Sequence, residues 1–265
     1  MSVIRKYQFV SPAVKRVSQY LILPVAILVI WQLLSQAGLI KPLILPPPTK
    51  VAGAFWELLS SGQLPKHIWI SILRVSEGFG LAALVGIVMG IGIGLSRTLD
   101  RLTDLVIQVL RPIPPIAWIP LAILWFGIDE LSKIYIIFLG AFFPVFVNVI
   151  EGIRNTDQRF IEVARILEVP RWKLIRQVVI PGVLPYIMTG LRVSLGVAWM
   201  CVVAAELIAA NQGVGYLIND ARQLSQTDVV LVGMITIGVT GKVMDSMLKR
   251  LENRLVGWKI SYSGD

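Results

Sequence analysis

The side chains that most often carry catalysis or bind metals are almost missing from this sequence. It contains one cysteine, Cys201, and one histidine, His67, too few for an internal disulfide or for the usual zinc site of several Cys and His ligands. The metalloprotease pattern HExxH and the hydrolase pattern GxSxG are absent. The stretch GVTGKV (238–243) lacks the glycine spacing of a phosphate-binding loop. The sequence therefore predicts neither an enzyme nor an ATPase, and Cys201 is expected to be a small packing residue.

Ionisable side chains in residues 155–185 follow a helical pattern. An apolar stripe consists of Phe160, Val163, Ala164 and Leu167, and a polar face with opposite charges three residues apart consists of Arg159, Glu162, Arg165 and Glu168. Asp157 is placed to cap this helix, Pro170 to end it and start the next, and Pro181 to stop the second helix. The pattern predicts a helical hairpin that either binds another protein or lies on lipid headgroups.

The stretch RPIPPIAWIPLAILWFG (111–127) joins four prolines, Pro112, Pro114, Pro115 and Pro120, to an apolar run. Proline costs about 3 kcal/mol inside a helix, and broken backbone persists in hydrocarbon only where it is buried in protein or faces a wet cavity. The first prolines either lead into a helix at its first turn or hold irregular backbone beside a cavity. Pro120 lies deeper, and we expect it to kink the helix.

The composition indicates the membrane setting in which these residues must be positioned. The chain has 265 residues, of which 55% are hydrophobic and 15% charged, with a mean hydropathy of +0.74, whereas a soluble domain is about 25% charged. Six apolar runs predict membrane spans, at 20–39, 67–96, 102–127, 134–153, 184–207 and 229–248. In the second run, Gly86, Gly90 and Gly94 recur every four residues, a spacing that permits close helix contact.

The distribution of basic residues predicts the orientation of these spans. Arg74 and Arg192 fall within spans, and most of the other basic residues fall on the side that holds both termini. The opposite side holds only Lys41, Lys50, Lys66, Lys133 and Arg222. Because cytoplasmic loops are enriched in Lys and Arg, both termini are predicted to be cytoplasmic. The net charge of +9 is then explained without nucleic-acid binding.

Four segments follow from this arrangement. We expect a cytoplasmic N-terminal segment at 1–18, a first span with an external loop at 19–66, a core at 67–258 that contains the hairpin loop 155–183, and a cytoplasmic tail at 259–265.

The segment 155–185 resembles the EAA signature of binding-protein-dependent ABC importer permeases. Glu162-Val163-Ala164 matches the Glu-Ala-Ala triplet, and 178–181 (VVIP) matches the closing Ile-x-Leu-Pro. Glu168 occupies the position of the signature glycine, so the bend would fall to Val169-Pro170. The stretches at 111–134, 140–154, 191–218 and 227–241 are also similar to the branch that includes permeases for nitrate, sulfonate and taurine. The resemblance covers about residues 65–258.

This resemblance implies an all-α integral membrane protein with the type I ABC importer permease fold, in the bacterial inner membrane. It implies a dimer of two permease copies, two ABC ATPase subunits that bind ATP and Mg, a periplasmic or lipid-anchored solute-binding protein, and no cofactor in this chain. The implied contacts to the ATPase are Glu162, Val163, Ala164, Arg165, Glu168 and Pro181. Arg165, Arg171 and Lys173 equally suit lipid headgroups.

The same resemblance places a translocation path between the two permease copies, for a small anion such as nitrate, sulfonate or taurine. The candidate path residues are Pro115, Pro120, Asn148, Trp199 and Glu206. Glu206 has an alternative role, because a carboxylate at the membrane edge often only holds a loop amide. An ion-gradient-driven secondary transporter stays open as the alternative function. It would need paired intramembrane acids, for which only Glu77 and Glu206 are candidates.

Overall fold

The computed structural model describes residues 12–156 and 158–257, which form helices joined by turns. The helices are α1 (Pro12–Gln36), α2 (Pro48–Ser60), α3 (Gln63–Leu95), α4 (Arg97–Leu110), a 3₁₀ turn (Pro115–Trp118), α5 (Ile119–Phe126), α6 (Glu130–Arg154), α7 (Gln158–Ile166), α8 (Arg171–Leu174), a π-helical turn (Ile175–Val179), α9 (Ile180–Ala209), α10 (Val214–Gln223) and α11 (Thr227–Leu255). The predicted cap Asp157, the tail 259–265 and residues 1–11 of the predicted N-terminal segment lie outside the described residues.

Four of the described helices are long and apolar enough to cross a membrane. They are α3, α6, the continuous helix Arg171–Ala209 and α11. A fifth span exists if α4 is counted together with the following helical segment Pro115–Phe126. The axes of these two pieces are bent by 85° at the break between them. The predicted first span contributes a shorter apolar helix, Ile22–Gln36. The predicted all-α membrane fold is confirmed.

Helices α3 and α6 lie side by side because glycines on α3 leave room for branched side chains on α6. The contacts pair Gly78 with Ile137, Gly86 with Val145, Gly90 with Val149 and Gly94 with Ile153. A Cβ added at Gly90 would lie 2.8 Å from the Val149 side chain, which is inside the normal contact distance. The close contact predicted from the glycine spacing is confirmed, and it extends further along α3, to Gly78.

The same kind of contact fixes the direction of each helix. Residue numbers rise together along α3 and α6, so these helices are parallel. In contrast, Gly140 and Gly152 of α6 meet Cys201 and Tyr186 of α9, so α6 and α9 are antiparallel. Trp199 meets Gly241 and Arg192 pairs with Asp245, so α11 is antiparallel to α9. Because α3 ends at one end of the bundle and the parallel helix α6 begins at the other end, the connecting residues 96–129 must run back along the bundle.

That returning segment is broken at residues 111–114. Helix α4 ends at Leu110, and the chain resumes helical structure only at Pro115, which opens the 3₁₀ turn. Pro120 lies at the start of α5, where a missing N–H is tolerated. The irregular backbone expected around these prolines is confirmed, but the expected kink at Pro120 is wrong, because the break precedes it.

The prediction that Pro181 stops the second hairpin helix is also wrong. Helix α8 continues through the π-helical turn into α9, giving one helix from Arg171 to Ala209. Pro181 falls in the first turn of α9, directly after the π-helical turn. Because the wider turn has already shifted the hydrogen-bond register, the missing N–H does not end the helix there.

The α3–α6 contact generates a matched test at two neighbouring glycines. Gly90→Ala forces a methyl group against Val149, whereas a methyl group at Gly92 would have nothing within 4 Å. We expect Gly90→Ala to destabilise the protein by about 1–3 kcal/mol through overpacking. Gly92→Ala should leave stability unchanged or slightly raised. The midpoint of thermal unfolding in detergent measures both, and equal midpoints for the two variants would contradict the packing.

Candidate functional site

Helices α7 and α8 form a hairpin at one end of the bundle, called here the hairpin end. Its surface is unusually apolar for a water-exposed element: the exposed fraction is 80% at Ile166, 69% at Leu167 and 64% at Trp172. Glu162 and Val163 are also exposed, whereas Ala164 is buried. A surface that mixes exposed apolar and charged side chains on short rigid helices is typical of a protein-binding site.

The turn of the hairpin is made by Glu168, in a manner that the sequence did not indicate. Its φ of 51° is in the left-handed region. The N–H of Val169 donates to the carbonyl of Ala164 at 2.9 Å, which is the six-to-one hydrogen bond of a Schellman-type helix end. The bend expected at Val169-Pro170 therefore falls one residue earlier. Glu168 adopts a left-handed backbone conformation that favours glycine.

The predicted coupling residues fall into two places. Glu162, Val163, Ala164, Arg165 and Glu168 lie on α7 and its turn, so the structure brings them together at the hairpin. Pro181 lies apart from them, beyond the π-helical turn in α9.

A groove of about 330 Å³ runs beside α6, where the broken segment meets α6 and α9. Its walls include Arg111 and Pro115 from the break, Asn148 and Glu151 from α6, and Val197 from α9. Two predicted path residues, Pro115 and Asn148, are thus brought together. Arg111 and Glu151 were not predicted as site residues. Glu151 could have been predicted from its spacing, because it lies about one helical turn from the predicted path residue Asn148 and so on the same face of the helix.

The other three predicted path residues lie outside this groove. Pro120 is exposed on α5. Trp199 is 5% exposed and packs in the core, and its indole N–H has no acceptor among the described residues. Glu206 is 1% exposed and belongs to a buried polar cluster at the opposite end of the bundle.

This far-end cluster consists of Ser71, Arg74, Glu130, Lys133 and Glu206. The Arg74 guanidinium donates to both carboxylate oxygens of Glu130, at 2.6 and 2.7 Å, and to Glu206 at 2.9 Å. Lys133 donates to Glu130 at 3.1 Å. The Glu130 side chain is 57% exposed, whereas the other three charged side chains are buried. With two cations and two anions the cluster is neutral, which makes the burial of those three charges tolerable. It ties α3, α6 and α9 together.

The far-end cluster also fixes the loop between α9 and α10. Glu206 accepts from the N–H of Gly215 at 2.8 Å and from the hydroxyl of Ser71 at 2.8 Å. The N–H of Val214 donates to Ser71, and the N–H of Gly213 donates to His67 Nδ1 at 3.0 Å. The alternative role anticipated for Glu206, holding a loop amide, is confirmed by these contacts.

Two ion pairs join helices outside the far-end cluster. Arg154, at the end of α6, donates to Asp100 of α4 at 2.6 Å. Arg192 of α9 donates to Asp245 of α11 at 2.9 Å. Within the described ranges, no group of three or more His, Cys, Asp and Glu side chains is placed to hold a metal ion.

Comparison with known proteins identifies similar chains. A family profile described as "Binding-protein-dependent transport system inner membrane component" matches residues 82–257. The chain is 46% identical over 244 residues to Bacillus subtilis (strain 168) SsuC, provisionally named an aliphatic sulfonates transport permease protein, with 92% of this chain and 88% of the relative covered.

Two further relatives carry other substrate names. The taurine transport system permease protein TauC of Escherichia coli (strain K12) is 38% identical over 237 residues, covering 88% of this chain and 86% of the relative. The bicarbonate transport system permease protein CmpB of Synechococcus elongatus is 35% identical over 237 residues, covering 85% of this chain and 84% of the relative.

The far-end cluster generates a test with an internal control. Glu206→Gln removes one anion that pairs with buried Arg74, so we expect a loss of about 3 kcal/mol in the free energy of unfolding. Glu77→Gln changes an exposed carboxylate on α3 with no ion pair among the described residues, so it should be nearly neutral. Thermal unfolding in detergent compares the two variants, and a stable Glu206→Gln protein would show that the pair contributes little.

Proposed function

This chain belongs to the family of binding-protein-dependent transport system inner-membrane components, and we propose that it forms the translocation path of an ATP-driven importer for a small anion. In this proposal two copies of the chain work with two ABC ATPase subunits, which bind ATP and Mg. An external solute-binding protein delivers the solute. The observation that carries the proposal is the exposed hairpin joined without a break to a membrane-crossing helix.

The hairpin is the proposed docking site for the ATPase subunits. Glu162 and Val163 lie on its exposed surface next to Ile166 and Leu167, so the ATPase would receive an apolar patch flanked by charge. Ala164 is buried, and it would support the docking helix from beneath. Apolar anchors with a charged rim are the usual composition of a specific protein interface.

The continuous helix Arg171–Ala209 is the proposed lever between ATP hydrolysis and the path. Its 39 residues correspond to about 58 Å at 1.5 Å per residue. It begins in the hairpin, borders the groove through Val193 and Val197, and ends just beyond Glu206 in the far-end cluster. A tilt imposed on the hairpin would therefore change the groove and the far end together.

The groove beside α6 is the proposed part of the translocation path in each copy. In this proposal the break at 111–114 lies at membrane depth, where irregular backbone requires a wet cavity or a protein partner. A groove that faces a second permease copy would provide a wet cavity and a protein partner at the same place. Pro115 and Asn148 are then path residues, whereas Trp199, Glu206 and Pro120 lie outside the groove and would support the path indirectly.

Small anions are the proposed solutes, because the relatives are named for aliphatic sulfonates, taurine and bicarbonate. All three carry an oxyanion group. Both termini are proposed to be cytoplasmic. The C-terminal end of α11 lies at the hairpin end, since α11 runs antiparallel to α9, and this supports the orientation predicted from the basic residues.

The docking proposal predicts the effect of one charge reversal. Glu162→Lys should sharply reduce co-purification of the ATPase subunit, because it replaces an exposed anion in the docking surface with a cation. Glu57→Lys is the matched control, since Glu57 lies on α2 away from the hairpin. Pull-down of the ATPase and ATP-driven uptake are both measured. Full co-purification and uptake with Glu162→Lys would contradict the assignment of the hairpin.

The break in the returning segment predicts which prolines matter for transport. Replacing Pro112 and Pro114 with alanine restores two N–H groups and lets α4 extend into the break, so we expect transport to fall severalfold. Pro120→Ala changes a helix-start position and should transport at nearly the wild-type rate. Uptake rates and hydrogen exchange of residues 108–116 test both variants. A larger transport defect for Pro120→Ala would mean that the break is not the functional element.

A further inference from the structure

The groove contains two charged groups that no other side chain neutralises. Arg111 and Glu151 both line it, and neither forms an ion pair or a side-chain hydrogen bond among the described residues. Arg154, the charged residue nearest to Glu151 in sequence, already pairs with Asp100 at 2.6 Å. Two unpaired charges in a groove lined mainly by apolar residues are therefore available to a solute.

The wall of the break supplies few other hydrogen-bond donors. Pro112, Pro114 and Pro115 have no N–H, and the N–H of Ile113 is already bonded to the carbonyl of Leu110 at 3.1 Å. The Asn148 side chain donates to the carbonyl of Pro144 at 2.8 Å. An anion in the groove would thus depend on the guanidinium of Arg111, whose planar fork of N–H donors matches an oxyanion.

The two charges lie in a definite order along the bundle. Ile107 packs against the cluster that contains Phe146 and Ile150, and Ile119 belongs to the cluster that contains Ile136 and Ile137. Arg111 is therefore held between these two levels. Glu151 is about one turn beyond Asn148 towards the hairpin end, because α6 runs in that direction.

We propose that Arg111 is a specificity-determining residue that draws an oxyanion into the groove, and that Glu151 repels it onward at the hairpin end. The inference rests on the proposed function, because it assigns the solute class to that same groove. Attraction followed by repulsion suits transport, which requires a solute to enter readily and also to leave. The class assigned is a small solute with a sulfonate or carbonate group.

A thiol placed in the groove measures this charge without any partner subunit. Asn148→Cys reacts with 2-sulfonatoethyl methanethiosulfonate, itself a small sulfonate, and with its trimethylammonium analogue. Each forms a mixed disulfide and releases methanesulfinate. The wild-type protein is the blank, because Cys201 is 3% exposed. The measured quantity is the ratio of the anionic to the cationic reaction rate in purified protein.

Arg111→Gln in the Asn148→Cys protein should lower this ratio severalfold, because removing one positive charge from the groove weakens the attraction of the anionic reagent and relieves the repulsion of the cationic one. Arg111→Lys should keep the ratio high, and Glu151→Gln should raise it. Arg101→Gln is the control, since Arg101 is exposed on α4 but does not line the groove. An unchanged ratio with Arg111→Gln, or no reaction with either reagent, overturns the inference.

Uptake separates this inference from the proposed function. In the chain with its native Asn148, Arg111→Gln should reduce uptake of a labelled alkanesulfonate about tenfold while the ATPase subunit still co-purifies. Normal uptake by Arg111→Gln combined with loss of docking by Glu162→Lys would overturn the role of Arg111 and leave the importer assignment intact. Failure of ATP-driven uptake by the wild-type chain would instead overturn the importer assignment.

Discussion

The close approach of α6 to its neighbours is the constraint on which the rest of the structure depends. Gly90 on α3 and Gly140 and Gly152 on α6 leave space that side chains of the facing helices fill. This contact makes α3 and α6 parallel and therefore requires residues 96–129 to cross back between them. The break, the groove beside α6 and the position of the hairpin at the end of α6 all follow from that requirement.

The two ends of the bundle are built differently, and the difference suits their proposed roles. At the far end, buried charges such as Arg74 and Glu206 are paired and hold helices and a loop in one arrangement. At the hairpin end, the Arg154–Asp100 pair is more exposed, and large apolar side chains such as Ile166 face outward. Exposed ion pairs contribute little to stability, so this end is better suited to moving with a partner than to resisting it.

Local sequence patterns predicted local structure well in this chain and predicted long-range contacts poorly. The glycine spacing in α3 and the amphipathic pattern of α7 were sufficient to predict a close helix contact and a hairpin. In contrast, the pairing of Arg74 with Glu206 joins residues 132 positions apart, and no spacing rule reaches that far. Pro120 and Pro181 were misjudged for different reasons. Pro120 lies in the first turn of α5, where proline is compatible with helical structure, and the sequence alone did not reveal where that helix begins. Pro181 directly follows a π-helical turn inside a continuous helix, and no sequence pattern indicated that turn.

The energy source for transport tests the central claim most directly. The chain is reconstituted with its ATPase subunit and solute-binding protein in liposomes, and uptake of a labelled alkanesulfonate is followed with and without ATP and with ionophores that abolish ion gradients. The account predicts uptake that requires ATP and the binding protein and is unaffected by the ionophores. Uptake that proceeds without ATP and collapses when the ion gradient is removed would contradict it.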